Sequence, residues 1–323
     1  MDAKAWVGGM GNLLLVLWGW APHVWAQADE PGAIPAEQVL AEGQDYRLML
    51  EGGMRWQQGT AREIVYTGSL VLSDLTWDIK DLLFVGATLQ LDVWQQLALG
   101  VSYWEAVTEG NGGMTDYDYF IPGIWTDFSD GPVDINRANM LDVYAEWAFA
   151  LPRAAHLRLI GGYRRLYWDW SQYGGSFIYS EDGFRDFRGD FPADQNGINY
   201  EQTFHIPYVG LGLRTRWRGW NFSTYVQYSA VAWAEALDEH VLRELLFEDS
   251  FQDVKYYAAG VSLAYRLGPR WHVGGAWDWH DIPEARGDAR ITDQVTGTAE
   301  TIRDAGGIAN RAWSLSLSSG IYF

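Results

Sequence analysis

The sequence predicts an all-β fold, a ten-stranded antiparallel transmembrane β-barrel extending above the membrane, and three observations predict it. The chain closes on "RAWSLSLSSGIYF", where Trp313, Leu315, Leu317, Ile321 and Phe323 alternate with Ser314, Ser316, Ser318 and Gly320. Alternation of period two sends apolar side chains to one face and small polar ones to the other, as in a strand with lipid outside and a lumen inside. Ten such segments recur, joined alternately by tight turns and by long polar connections, which is the even count and the asymmetry of an outer-membrane barrel. Beyond the N-terminus, no window offers the ~20 apolar residues of a spanning helix.

The elements follow in order. Lys4, the apolar run "WVGGMGNLLLVLWGWAP" and the small residues Val24 and Ala26 read as a secretory signal over residues 1–26. Residues 27–323 are then a single β-barrel domain with five extracellular loops. Strands are expected near 45–66, 74–93, 96–108, 138–151, 155–172, 202–217, 220–236, 252–266, 270–284 and 311–323. Tight turns fall at "WQQ", "LPRA", "WRGW" and "LGPR", and long loops near 67–73, 109–137, 173–201, 237–251 and 285–310. Trp77, Trp94, Trp104, Trp147, Trp217, Trp220, Trp271 and Trp313 stand near predicted strand ends, as interfacial girdles would. Strands such as 45–66 and 74–93 exceed the ~9–11 residues that cross a bilayer. The excess stands above the membrane and forms a water-exposed cleft. The terminal aromatic strand also resembles the signal read by the barrel assembly machinery of Gram-negative bacteria.

Composition narrows the function. The chain has no cysteine, which excludes disulfides, thiolate metal sites and cysteine nucleophiles. Its net charge of −19 excludes nucleic acid, whose binding needs positive charge to displace counterions, and suits cationic partners.

Two short polar clusters stand at the predicted outer rim. "GGMTDYDYF" sets Asp116 and Asp118 two positions apart, and "LDEH" does the same for Asp238 and His240. Residues i and i+2 of an extended chain share a side, so each pair is aimed into one volume. Adjacent carboxylates make one another harder to ionise. A carboxylate beside an imidazole fixes its tautomer and raises its basicity. In the loops above the third and seventh strands, the pairs can face each other across the mouth with a water between Asp116 and His240. A hydrated surface loop is the competing reading of each pair. Paired acids also serve glycoside hydrolysis, and the order of these residues does not separate sugar from peptide chemistry. No H-E-x-x-H, G-x-S-x-G or EF-hand spacing is present, so no metal site is expected.

The blocks "GGMTDYDYF", "WTDFSD", "GGSFIYSEDGFRDFRGDFP", "IPYVGLG", "LDEH" and "DVKYYAAGVSLAY" stand in the order and spacing of the omptin family. The chain resembles that family from about residue 45 to Phe323. The resemblance implies an aspartyl-type outer-membrane endopeptidase with its active site facing the exterior. Asp116 and His240 would activate a water, Asp238 would orient and charge His240, and Asp118 would support Asp116. Glu63 resembles the family's glutamate at the base of the substrate pocket, where it would pair with a substrate Arg or Lys. A second acid of that pocket falls on Ala236 here, which loosens the expected dibasic specificity, although Glu235 and Glu239 keep the rim acidic.

Cationic peptides or proteins are the implied substrates, with no cofactor and a monomeric barrel. The family also holds lipopolysaccharide on its outer wall. Tyr163 is retained, but Arg165 replaces an acid, and Tyr167 and Thr203 replace arginines. Arg164 and Arg165 are the candidate substitutes, and a lipopolysaccharide requirement stays open. The alternative function is a non-catalytic barrel, an adhesin or cationic-ligand binder, which has no need of a histidine beside Asp238. A barrel lipid hydrolase would need a serine nucleophile beside a histidine, and an open porin needs a wider ring than ten strands give.

Overall fold

A computed structural model describes residues 47–152 and 154–323, so the signal expected over 1–26 lies outside the described residues. The strands are β1 (Leu48–Thr67), β2 (Leu70–Asp92), β3 (Leu97–Ala106), β4 (Gly113–Asp118), β5 (Asp127–Leu151), β6 (Ala155–Tyr179), β7 (Phe187–Trp217), β8 (Trp220–His240), β9 (Leu245–Arg266), β10 (Trp271–Asp293) and β11 (Ala299–Tyr322). All pairings are antiparallel, and β1 joins β11 from Met49↔Tyr322 to Val65↔Gly306, which closes the ring. Closure leaves no free strand edge, the condition for a sheet in lipid.

The eleven segments make ten staves. β3 pairs with the lower part of β2 (Phe84↔Ala106), and β4 pairs with its upper part (Ser73↔Asp118, Trp77↔Met114). Both also pair with β5. β3 and β4 are therefore one stave interrupted at residues 107–112.

Most of the expected long loops are strand. Residues 127–137, 187–201, 245–251 and 299–310 continue β5, β7, β9 and β11. Above the lipid, the outer face no longer has to be apolar, so the alternation fades while the hydrogen-bonded ladder runs on. Asp116 and Asp118 accordingly lie on β4, and Asp238 and His240 on the end of β8, in regions expected as loops.

The two faces of the staves differ as the alternation requires. Leu315 and Leu317 are exposed while Ser314 and Gly320 are buried. Trp94, Trp147, Trp217, Trp220 and Trp271 are exposed on the outer face, as an interfacial girdle needs. Trp77 and Trp104 are instead buried in the lumen. Trp77 shares the inward phase of Leu75 and Ile79, and proximity to a strand end did not override that phase. Trp168, Trp170, Tyr200 and Trp77 stack across the lumen, with ring centroids 5.6 Å apart for Trp168 and Trp170, 5.7 Å for Trp170 and Tyr200, and 5.2 Å for Trp77 and Tyr200. This aromatic layer fills the bore and forms the floor beneath the upper cleft.

Candidate active site

Each of the five predicted site residues reaches the site by strand phase. On β8, Ala232, Ala234, Ala236 and Asp238 are buried on the inward face, and His240 follows them in the same phase. On β4 the inward set is Met114, Asp116 and Asp118, and Glu63 is buried on β1. β8 stops at His240 because a short 3-10 turn, Val241–Arg243, follows and Glu244 takes a left-handed conformation (φ 53°) that reverses the chain into β9. The backbone N–H of Gln294 donates to Glu244 O at 2.8 Å and ties this turn to the next connection.

Asp116 and His240 line one cavity of about 50 Å3, together with Ser129, Tyr179 and Arg243. A water needs about 10–15 Å3 of such space and two or more polar partners, so the cavity that the two groups line has room for at least one water. Asp116 is 7% exposed, and the Ser73 hydroxyl donates to its Oδ1 at 2.8 Å. Burial, and next the Asp118 charge, push Asp116 up to about 7, against the pull of Ser73, His240 and Arg243. Asp118 is also raised by burial, opposed chiefly by the Arg243 charge.

His240 Nε2 lies 2.7 Å from Asp238 Oδ2. The ring N–H is off the line to that oxygen, so the contact is a close approach and not an aligned hydrogen bond. Nδ1 is left as the nitrogen that can take a proton. Burial holds His240 below the ordinary imidazole range, the Glu63 charge opposing it, so the ring is neutral at pH 7. Phe247 packs beside the ring at 5.3 Å between centroids.

Glu63 lies close enough to Asp238 for the Asp238 charge to hinder its ionisation. Burial and then the charge and hydrogen bonding of Asp238 push Glu63 well above the carboxylate range. Burial likewise pushes Asp238 up to about 8, while the hydrogen bond with Glu63 pulls the other way.

The structure brings all five residues to one end of the lumen, above the aromatic floor. Sequence reasoning missed Ser73, Arg243 and Asp249. Ser73 is found only through the β2–β4 register, and Arg243 only through the turn that carries it back over the cavity. Arg164 does not belong to the outer wall. It faces the lumen, where it pairs with Asp142 and with the Tyr256 hydroxyl, whereas the outward Arg165 donates to Asn139 at 3.2 Å and stacks on Tyr167. Among the described residues, no group of three or more His, Cys, Asp or Glu is placed to hold a metal ion.

Comparison with known proteins gives a consistent result. The family model described as the Omptin family matches residues 45–323. Protease 7 of Escherichia coli O157:H7 is 29% identical over 263 residues, covering 78% of this chain and 83% of that protein. The plasminogen activator of Yersinia pestis is 27% identical over 265 residues, covering 80% of this chain and 84% of that protein. The crystal structure of outer membrane protease OmpT from Escherichia coli superposes with a TM-score of 0.82 at 25% identity, covering 86% of this chain and 97% of that one.

Proposed function

The chain belongs to the Omptin family, and from that membership and the geometry of the mouth we propose that it is an outer-membrane endopeptidase that cuts peptide bonds beside basic residues. The observation that carries the reading is the shared cavity of Asp116 and His240, with Asp238 2.7 Å behind the imidazole. A water held there gives one proton to Nδ1 of His240, and its oxygen attacks the substrate carbonyl carbon. The Asp238 carboxylate stabilises the imidazolium that forms. When the tetrahedral intermediate collapses, the imidazolium returns the proton to the leaving amine, and no acyl-enzyme forms. Asp116 orients the water, and Asp118 holds Asp116 in place through their common neighbour Ser73. The mechanism is aspartic in type, since no serine, cysteine or metal takes part. Family membership puts the barrel in the outer membrane, with the mouth facing the cell exterior, and the signal expected over residues 1–26 fits that export.

The acidic interior around Glu63 accounts for a preference for cationic peptides. The test is His240→Ala in the refolded barrel, assayed on an Arg-containing peptide with cut sites mapped by mass. Turnover should fall by about 10²–10⁴-fold, the usual contribution of a positioned acid–base group. Unchanged turnover would favour the non-catalytic binder instead.

A further inference from the structure

The family's second pocket acid is missing at Ala236, but the structure places another carboxylate directly beside that position. Ala236 of β8 and Asp249 of β9 are cross-strand partners, so their side chains leave the same face of the sheet. On its other side Asp249 pairs with Ala289 of β10. Both alanines are buried, at 8% and 3% exposure. A Cβ on Gly306 would come within 2.5 Å of Asp249 Oδ2. Three residues with little or no side chain thus surround one carboxylate, which occupies the space beside Gly306.

Two carboxylates of this region have an oxygen with nothing to bind. Asp249 Oδ1 and Glu63 Oε2 are buried without a hydrogen-bond partner, and Glu63 is only 3% exposed. Asp249 makes no ion pair among the described residues. Buried carboxylates left unpartnered are costly, and they persist where a ligand supplies the partner. Asp249 lies close enough to Glu63 and Asp238 to push both upward, and burial raises Asp249 itself to about 7. An acid at 236 would directly oppose Asp249, and like charges in that position repel. The pair therefore carries one acid, and here it sits on β9.

We propose that Asp249 is a specificity-determining residue that, together with Glu63, receives the guanidinium or ammonium group of the substrate side chain beside the cut bond, in place of the acid absent at 236. The proposal rests on the peptidase reading above. The test compares kcat/KM for two peptides that differ only in Arg or citrulline at that position, since citrulline keeps the shape and removes the charge. A charge-assisted bond to a buried carboxylate is worth about ten- to a hundredfold. The Arg-to-citrulline ratio should therefore fall at least about tenfold in D249N. It should return to within about threefold of the wild-type ratio in A236D/D249N, which moves the acid back to β8. Any effect of residue 249 on the dyad is common to both peptides and cancels in the ratio.

D249S serves as a second variant, and the heat-modifiable migration of the folded barrel reports folding. A folded, active D249N that keeps the wild-type ratio overturns the role of Asp249 and leaves the peptidase standing. A ratio lost in D249N and not restored in A236D/D249N assigns the loss to structure and also overturns it. A wild-type protein that cleaves neither peptide overturns the peptidase reading, and the proposal with it.

Discussion

Two layers of polar side chains occupy the inside of the same barrel, and they treat charge in opposite ways. In the membrane-level lumen, Arg158 donates to Glu146 at 2.8 Å and to Ser223 at 2.6 Å. Tyr208 donates to Asp142 at 2.8 Å, Tyr225 to Asp278 at 2.6 Å, and Arg164 also pairs with Asp142. Each carboxylate there has a cation or a hydroxyl. In the mouth, Glu63, Asp238 and Asp249 all have buried oxygens without an aligned partner. Asp116 has one serine hydroxyl for support. The lower layer pairs its carboxylates as built, although Arg158 Nε, Gln57 Nε2 and Gln227 Oε1 stay without a partner, and its job is to fill the lumen. The upper layer stores unfavourable electrostatics, which a substrate and a water relieve, and such storage is characteristic of sites that act on something.

The contrast can be broken most sharply at Asp116. Asp116→Asn should lower kcat/KM on an Arg peptide by about 10²–10⁴-fold. The same change should stabilise the barrel at pH 8 by on the order of 1 kcal/mol, because it removes a buried charge. The sign follows from linkage. The folded-state pKa of about 7 lies above the ~3.9 of an unfolded aspartate, so the folded protein holds a proton that the unfolded chain releases. Stability due to this group is therefore present at low pH and lost as pH rises through about 7. Denaturant midpoints at pH 5 and pH 8 check it; a variant no more stable than wild type at pH 8 would contradict the stored-cost view of the mouth.

The lower layer should respond in the reverse manner. Glu146→Leu leaves Arg158, whose side chain is only 7% exposed, without its counter-charge. Loss of one partner from a buried pair costs about 3–5 kcal/mol. The unfolding midpoint should drop accordingly, while kcat/KM of the protein that remains folded stays within about twofold, because no reacting group is touched. A large loss of activity at full folding would show that the two layers are coupled.

A smaller effect is expected at Asp118. Burial is the main cause of the raised Asp116 pKa, and the Asp118 charge is the next. Asp118→Asn removes only the second, so the acid limb of the kcat/KM–pH profile should move to lower pH, and activity at pH 6 relative to pH 8 should rise. An acid limb that stays in place, or moves up, rejects the tuning role. The smallest effect concerns the outer wall. Tyr167 there donates to Glu201 at 2.9 Å and Arg137 pairs with Glu105, so carboxylates already stand among the cations of this wall. Adding lipopolysaccharide to the detergent-refolded protein should therefore change kcat/KM by less than about twofold; a rise of tenfold or more would place an anion site on this wall.

Much of this was written in local pattern. The alternation of Trp313 to Phe323, and of Asp116 with Asp118, is fixed by two-residue periodicity, which needs no partner strand to be read. The same periodicity put Asp238 and His240 on one face. Trp77 and Trp104 were misplaced by nearness to a strand end, which says nothing about which face a side chain takes. The periodicity itself puts Trp77 in phase with the buried Leu75 and Ile79. It read the upper staves as loops, because strands above the lipid lose the pressure to alternate.

Register is a different kind of information. It depends on which hydrogen-bonded partner each residue meets after closure, and a one-residue slip would reverse every facing. Only the closed ring put Ser73 under Asp116, Arg164 inside the lumen, and Asp249 opposite Ala236. The sequence by itself determined a barrel and the two halves of its site, since those follow from chemistry at fixed short spacing. Which buried acids stand without partners, and so what the mouth is prepared to receive, was decided by tertiary pairing between segments far apart in the chain.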